Sequence, residues 1–122
     1  FMLYLPGKKV ILTADVVMNG RITSNRNGTV MGQLAAHDKI RTKDWTVMVP
    51  GHGFITDKTA MDESALYFKL MKDRILAAID DDVDATEINE VVTLPEFKDK
   101  GLYKVLNSNN VSRSYDELEM LD

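Results

Sequence analysis

Cysteine is absent and histidine appears only twice. Disulfides and thiolate metal sites are therefore excluded, and any bound metal must be held by imidazole and carboxylate. No apolar run approaches the roughly 20 residues that cross a bilayer, so no membrane partner is expected. A nucleic-acid partner is not expected either. The chain has 15 Lys and Arg against 19 Asp and Glu, for a net charge of −4, and the basic residues form no stripe. Also missing are a P-loop, a dinucleotide-binding fingerprint, a nucleophile elbow, internal repeats and low-complexity linkers. What is left is a chain of 122 residues, 44% hydrophobic and 28% charged, the proportions of one domain with its own core. It opens "FMLYLPGKKVILTAD", without Met at position 1, and enters a strand-like run where natural termini are usually loose and polar. The expectation is a single domain over 1–122 that forms the C-terminal part of a longer protein, rather than a scar residue before a start at Met2. The compartment stays open.

Met2 to Leu5 and Val10 to Thr13 are apolar or β-branched and are joined by "PGKK", which predicts a β-hairpin. "KVILTAD" is nearly continuous in apolar residues, the pattern of a strand buried on both faces. The Asn-, Gly- and Ser-rich "MNGRITSNRNG" is a long loop, the kind of segment in which functional residues tend to sit. A helix capped by Thr29 is predicted next, with Met31, Leu34, Ala35 and Ile40 as its apolar members, followed by a strand from Trp45 to Val49 that Pro50 and Gly51 stop. Met61, Ala65, Phe68, Met71, Ile75 and Ile79 form one stripe of a long helix from about Ala60 to Asp80, with Asp57 or Thr59 as its cap. "DDDVDAT" lacks the spacing of a calcium loop and reads as a solvated break. A short helix begins in "DATEINEVV", capped by Asp84 or Thr86. A C-terminal helix in "NSNNVSRSYDELEMLD" turns Val111, Tyr115, Leu118 and Leu121 inward. The order is mixed α/β with a sheet of about three strands.

Two residues stand where chemistry is often placed. Asp15 ends a buried-looking strand before the long loop, and His52 occupies the same kind of position past the third strand, inside "VMVPGHGFITDK". Each has a plain structural alternative. Asp15 also suits the cap of the following turn, and His52 suits a filler between Gly51 and Gly53. If the strands are neighbours, the carboxylate and imidazole end at one edge and suit a divalent ion such as Zn²⁺, although two donors do not complete a tetrahedral site. His37, beside Asp38 on the predicted helix, reads as a partly exposed surface residue. Asn25, Asn27, Asn107, Asn109 and Asn110 read as turn and cap residues.

The extended pattern "LYLPGKKVILTADVVMNGRI … WTVMVPGHGFITD" resembles the C-terminal half of a metallo-β-lactamase-fold hydrolase, in particular the branch of quinoprotein relay system zinc metallohydrolases. The tail "NNVSRSYDELE" is similar to that family's closing helix. The resemblance covers most of the chain and is strongest over residues 3–58. It implies half of an αββα sandwich, with helices packed on one face of the sheet. It also implies two zinc ions in the intact site, Asp15 as the residue that bridges them and orients the hydroxide, and His52 as a ligand of the second. The remaining ligands, a His-x-His-x-Asp-His cluster and one further histidine, would lie upstream. Ala14 stands where the family usually has Gly. The implied activity is attack of a metal-bound hydroxide on an ester, amide, thioester or phosphoester in a small-molecule substrate. With only part of the ligand set, this chain alone is expected to be inactive, and its sheet, cut from its partner, to drive self-association into a homo-oligomer. The competing reading is a non-catalytic α/β binding or oligomerisation module in which "PGHG" is an ordinary turn.

Overall fold

In the computed structural model, which describes residues 2–121, alternation along three short strands decides the architecture. They are β1 (Leu3–Leu5), β2 (Val10–Ala14) and β3 (Val47–Pro50). β1 and β2 form the expected hairpin, through a 3₁₀ turn over Pro6–Lys8 that closes on Lys9 in the left-handed region. β3 pairs parallel to β2 after a crossover helix, α1 (Val30–Arg41), so the sheet runs β1-β2-β3. Parallel pairing brings the carboxyl ends of β2 and β3 to one edge. The long helix α2 (Lys58–Asp80) follows, with Asp57 accepting from the Thr59 N–H at 2.9 Å as its cap. Then come the short α3 (Ile88–Val91) and α4 (Tyr103–Glu119). No helix among the described residues is long and apolar enough to cross a membrane.

The register sorts side chains into two faces. Ile11, Thr13 and Met48 point one way and are buried against Ile40, Trp45, Ala60, Met61 and Ala65. Leu3, Leu5, Val10, Leu12, Val47 and Val49 point the other way, and none of the six is buried. The expectation that β2 would be buried on both faces is therefore corrected. Helices cover one face only, and the apolar run in "KVILTAD" has nothing against its second side among the described residues.

α2 joins two cores. Its amino-terminal half packs under the sheet. Beyond it Phe68, Met71 and Ile75 pack with Ile88, Leu94, Val111 and Leu118. Its stripe is the predicted one, with Ala78 buried where Ile79 is only half-buried. α4 turns Val111, Tyr115 and Leu118 inward as expected. It starts earlier than "NSNN", and Leu121 lies past its end, 66% exposed. Neither Asp84 nor Thr86 caps α3, whose preceding residue Glu87 makes no side-chain cap.

α1 departs furthest from expectation. Thr29 caps it by accepting from the Gly32 N–H, but the inward residues are Val30, His37 and Ile40, while Met31 and Ala35 face out. The 3-4-3 spacing of Val30, Gln33, His37 and Ile40 marks one helical face. His37 is therefore fully buried, not a surface residue. The Glu117 carboxylate of α4 accepts from the first two N–H groups of α1, Val30 at 2.7 Å and Met31 at 3.1 Å, and so docks the two helices end to side.

Candidate metal site at the carboxyl edge of the sheet

Asp15 and His52 meet where the sequence places them, just past the ends of β2 and β3. His52 Nε2 lies 3.8 Å from Asp15 Oδ1, with both side chains largely open to solvent. That separation is too long for a hydrogen bond. It is close to the roughly 3.4 Å between two donors each about 2.1 Å from one tetrahedral ion. The turn after β2 closes through its backbone alone, Val16 N–H to the Thr13 carbonyl at 3.2 Å. Among the described residues no Lys or Arg side chain lies within ion-pair distance of Asp15, and His52 is its one basic neighbour.

The glycines of "PGHG" have a steric reason. A Cβ on Gly51 would lie 2.4 Å from the Ala14 carbonyl oxygen and 2.5 Å from Asp15 Oδ1. The second strand end can approach the first only without a side chain there. Gly53 adopts φ +93°, and a Cβ on it would fall 2.3 Å from the Asn19 carbonyl oxygen. Between them, the His52 carbonyl accepts from the Asn19 N–H at 3.0 Å, and the Gly51 N–H donates to the Val17 carbonyl at 3.1 Å. The backbone on both sides of the imidazole is tied to the loop after β2. As a donor set, one carboxylate and one imidazole in a cradle closed to Cβ atoms fit part of a zinc centre and do not complete it. No group of three or more metal-ligating side chains converges among the described residues.

Asp15 and His52 open onto a cleft of about 510 Å³ that also takes in Arg21, Asn25, Arg26 and Gln33. Sequence reasoning missed these four. The loop that carries three of them has no regular structure yet is fastened along its length. Asn19 donates to the Phe54 carbonyl, and on either side of Arg21 the Ile22 N–H donates to the Gly101 carbonyl and the Gly101 N–H to the Gly20 carbonyl. Asn25 is buried. Its N–H donates to Asn110 Oδ1, and its amide donates to the Asn110 carbonyl and to Ser114 Oγ at 2.8 Å. Asn110 Nδ2 donates in turn to the Thr23 carbonyl and the Tyr67 hydroxyl. Asn25 and Asn110 are thus the buried joint between the cleft loop and α4, not simple turn and cap residues. Asn27 stays in the exposed loop.

Behind the cleft, the Gln33 amide donates to the Val16 carbonyl and sits 3.4 Å from His37 Nε2, with Ser64 Oγ 3.3 Å from the same nitrogen. Burial, then the Arg41 guanidinium, push the His37 imidazole down to about 4, against the opposing pull of the Val16 carbonyl and Asp38. The ring is neutral at pH 7, and its Nδ1 is buried without a partner among the described residues.

No family model matches the chain, and no curated protein matches it. Solved structures do. The stereoselective inverting sec-alkylsulfatase Pisa1 from Pseudomonas sp. superposes with a TM-score of 0.73 at 21% identity over 95% of this chain. A double mutant of the same sec-alkyl sulfatase gives 0.71 at 20% identity over 96%. The chain spans about a fifth of the length of those sulfatases, 21% in each case. At this identity the likeness is one of fold. The three-stranded mixed sheet with helices on one face has the α/β architecture of metallo-β-lactamase-fold proteins.

Proposed function

We propose that the chain is the C-terminal part of a metallo-β-lactamase-like hydrolase in which Asp15 and His52 are two ligands of a zinc centre completed by residues upstream of Phe1. The observation that carries the reading is the meeting of a carboxylate and an imidazole, 3.8 Å apart, at the shared carboxyl edge of two parallel strands. Two features support it. The cradle admits only glycine at position 51, and the fold is that of known hydrolases, the sec-alkylsulfatases. The six-residue apolar face of the sheet is where a second sheet would pack to complete a sandwich. Resemblance to the quinoprotein relay system branch rests on the motif sequence alone.

In the intact protein, zinc held by Asp15, His52 and upstream ligands would activate water for attack, such sites lowering its pKa to roughly 7. Asp15 holds and orients at its edge of the site, His52 fills a coordination position, and the cleft beside them receives an ester, amide, thioester, phosphoester or sulfate ester. The reading requires a His-x-His-x-Asp-His cluster within roughly 100–200 residues before Phe1. Zinc titration with chelator competition tests the site itself. The intact protein binds tightly and loses that affinity in Asp15→Asn and in His52→Ala, whereas this chain alone binds weakly and does not turn over substrate. Stoichiometric tight binding by the 122-residue chain, or an intact protein indifferent to both substitutions, overturns it. The uncovered face also favours a second reading, a non-catalytic oligomerisation module, which predicts self-association with no zinc dependence at any length of chain.

A further inference from the structure

The chain holds two Asn-Gly pairs, Asn19-Gly20 and Asn27-Gly28. In such a pair the side-chain amide and the next backbone nitrogen react most readily, because glycine has no Cβ to hold them apart. The fold treats the two pairs oppositely. Asn19 is half-buried and pinned on both sides. Its N–H donates to the His52 carbonyl at 3.0 Å and its side-chain amide to the Phe54 carbonyl at 3.0 Å, and the Gly20 carbonyl accepts from the Gly101 N–H at 2.9 Å. Asn27 and Gly28 are both exposed, at the rim of the cleft that Asp15 and His52 share. Asn25 and Asn110 are bonded in the buried joint, and Asn89 and Asn107 to Ser112 and Tyr67, whereas no hydrogen bond holds the Asn27 side chain among the described residues.

Gly28 also differs from the glycines of the strand end. Gly51 and Gly53 are required by close approach or by a positive φ. A Cβ on Gly28 would meet nothing within 4 Å, and its φ lies outside the left-handed region. Neither packing nor backbone conformation calls for glycine there. The open space leaves the Asn27 side chain free to swing onto the Gly28 nitrogen. One bond guards that nitrogen, its N–H donating to the Asn25 carbonyl at 3.1 Å across an exposed turn. Such turns open far more easily than buried ladders.

We propose that Asn27–Gly28 is a site of spontaneous modification, at which a neutral amide at the rim of the cleft becomes a carboxylate. The Gly28 nitrogen loses its proton and attacks Asn27 Cγ. The N–Cγ bond forms, the Cγ–Nδ2 bond breaks, and ammonia departs with the proton, leaving a succinimide. Water then opens the ring. Cleavage at Cγ gives aspartate, and cleavage at the backbone carbonyl carbon gives isoaspartate, with the chain running through Cβ and Cγ. Nothing is oxidised or reduced. Either product adds a negative charge to the cleft wall that carries Asp15. Isoaspartate also lengthens the backbone between two fixed points, the Arg26 carbonyl, which accepts from Arg113 at 3.1 Å, and Thr29, which caps α1. The extra length is absorbed by loss of the Gly28–Asn25 turn bond. The reaction needs only the chain's own geometry and is independent of the hydrolase reading.

The test ages this chain at mildly alkaline pH and maps deamidation by peptide mass spectrometry, with isoaspartyl methyltransferase labelling for the isoaspartyl product. Asn27 is expected to react about tenfold faster than Asn19, the order set by the additional hydrogen bonds that Asn19 must break. In guanidinium chloride the two pairs should react at similar rates. The Asn27 rate should rise about tenfold per pH unit through neutrality, because the attacking nitrogen must be deprotonated. Gly28→Ala, which the open backbone tolerates, should slow Asn27 about tenfold and leave Asn19 unchanged. Isoaspartyl chain isolated from the aged sample should exchange its Gly28 amide hydrogen faster than the parent. Equal rates at the two pairs in the folded chain overturn the proposal, as does a folded chain inert at Asn27. A contrast that persists in guanidinium chloride makes local sequence, not the fold, its cause and overturns it too. Asn27→Gln is the second variant, and isoaspartyl label that survives in it places the reaction elsewhere.

Discussion

The two faces of one sheet, built from the same residue types, meet opposite fates. Ile11 and Met48 are sealed at 2% and 0% exposure under α1 and α2, while Leu3 and Leu5, one strand over on the other face, stand at 44% and 37%. Sequence alternation cannot separate the faces, because both are apolar. What separates them is where the helices fall. The crossover α1 and the long α2 both return to the same side, and their stripes are used up there and on α4. On the reading proposed above, the apolar face that no described residue covers is where another sheet would pack, and the sharpest way to probe that is to ask what each face contributes to stability.

The largest contrast is expected between adjacent residues of β3. Met48→Ala opens a cavity in the covered core and should cost about 2–5 kcal/mol. Val49→Ala on the other face should cost about 1 kcal/mol or less in this chain. Urea unfolding of both variants measures the difference. In the intact protein the Val49→Ala cost should rise toward that of a buried valine. Sedimentation sharpens the point, since this chain should associate at micromolar concentration and Val49→Lys should return it to monomer. Equal costs for the two residues in this chain, with monomers throughout, would mean the second face needs no cover.

Much of this was readable from residue types, and the misses have physical causes. Asp15 and His52 were legible because a strand-ending Asp and a His between glycines are unusual, and the parallel register does bring them together. The sheet order followed from the hairpin and the crossover length. The inward face of α1 was not legible from hydrophobicity, because two of its four members are Gln33 and His37. The Thr29 cap fixes the phase of the helix, and the 3-4-3 spacing from Val30 then points to them. Asn25 and Asn110 looked like turn residues because nothing local tells a cap amide from a buried one. They are brought together only by the packing of α4. The apolar run of β2 predicts burial on both faces, but such a run describes the residues without saying what supplies the second cover.

The second prediction concerns the dry side beneath the covered face. An unfolded His37 takes up its proton near 6.5, the folded one only at about 4. The unfolded state therefore binds more protons between those values. The stability this group contributes is complete above about pH 6.5 and is lost as pH falls through about 4, on the order of 3 kcal/mol in all. Urea unfolding at pH 7.5 and 4.5 should show that loss, and His37→Gln should flatten the slope relative to the parent chain. An unchanged slope in the variant would place the pH sensitivity in the carboxylates instead.

The smallest effect lies where the two faces end, at Ala14. Its φ of +47° puts it in the left-handed region, which costs a residue with a Cβ about 1–2 kcal/mol. Glycine enters that region freely but has more entropy to lose on folding, about 0.5–1 kcal/mol. Ala14→Gly should therefore stabilise the chain by about 0.5–1 kcal/mol. The residue is exposed, and the close contact with position 51 is made by its carbonyl rather than its methyl. The strain is thus in the backbone, not in crowding at the site. Amide shifts of Asp15 and His52 should barely move while the urea midpoint rises. A rise accompanied by large shifts at His52 would mean that the methyl group, and not the backbone, sets the geometry of the strand end.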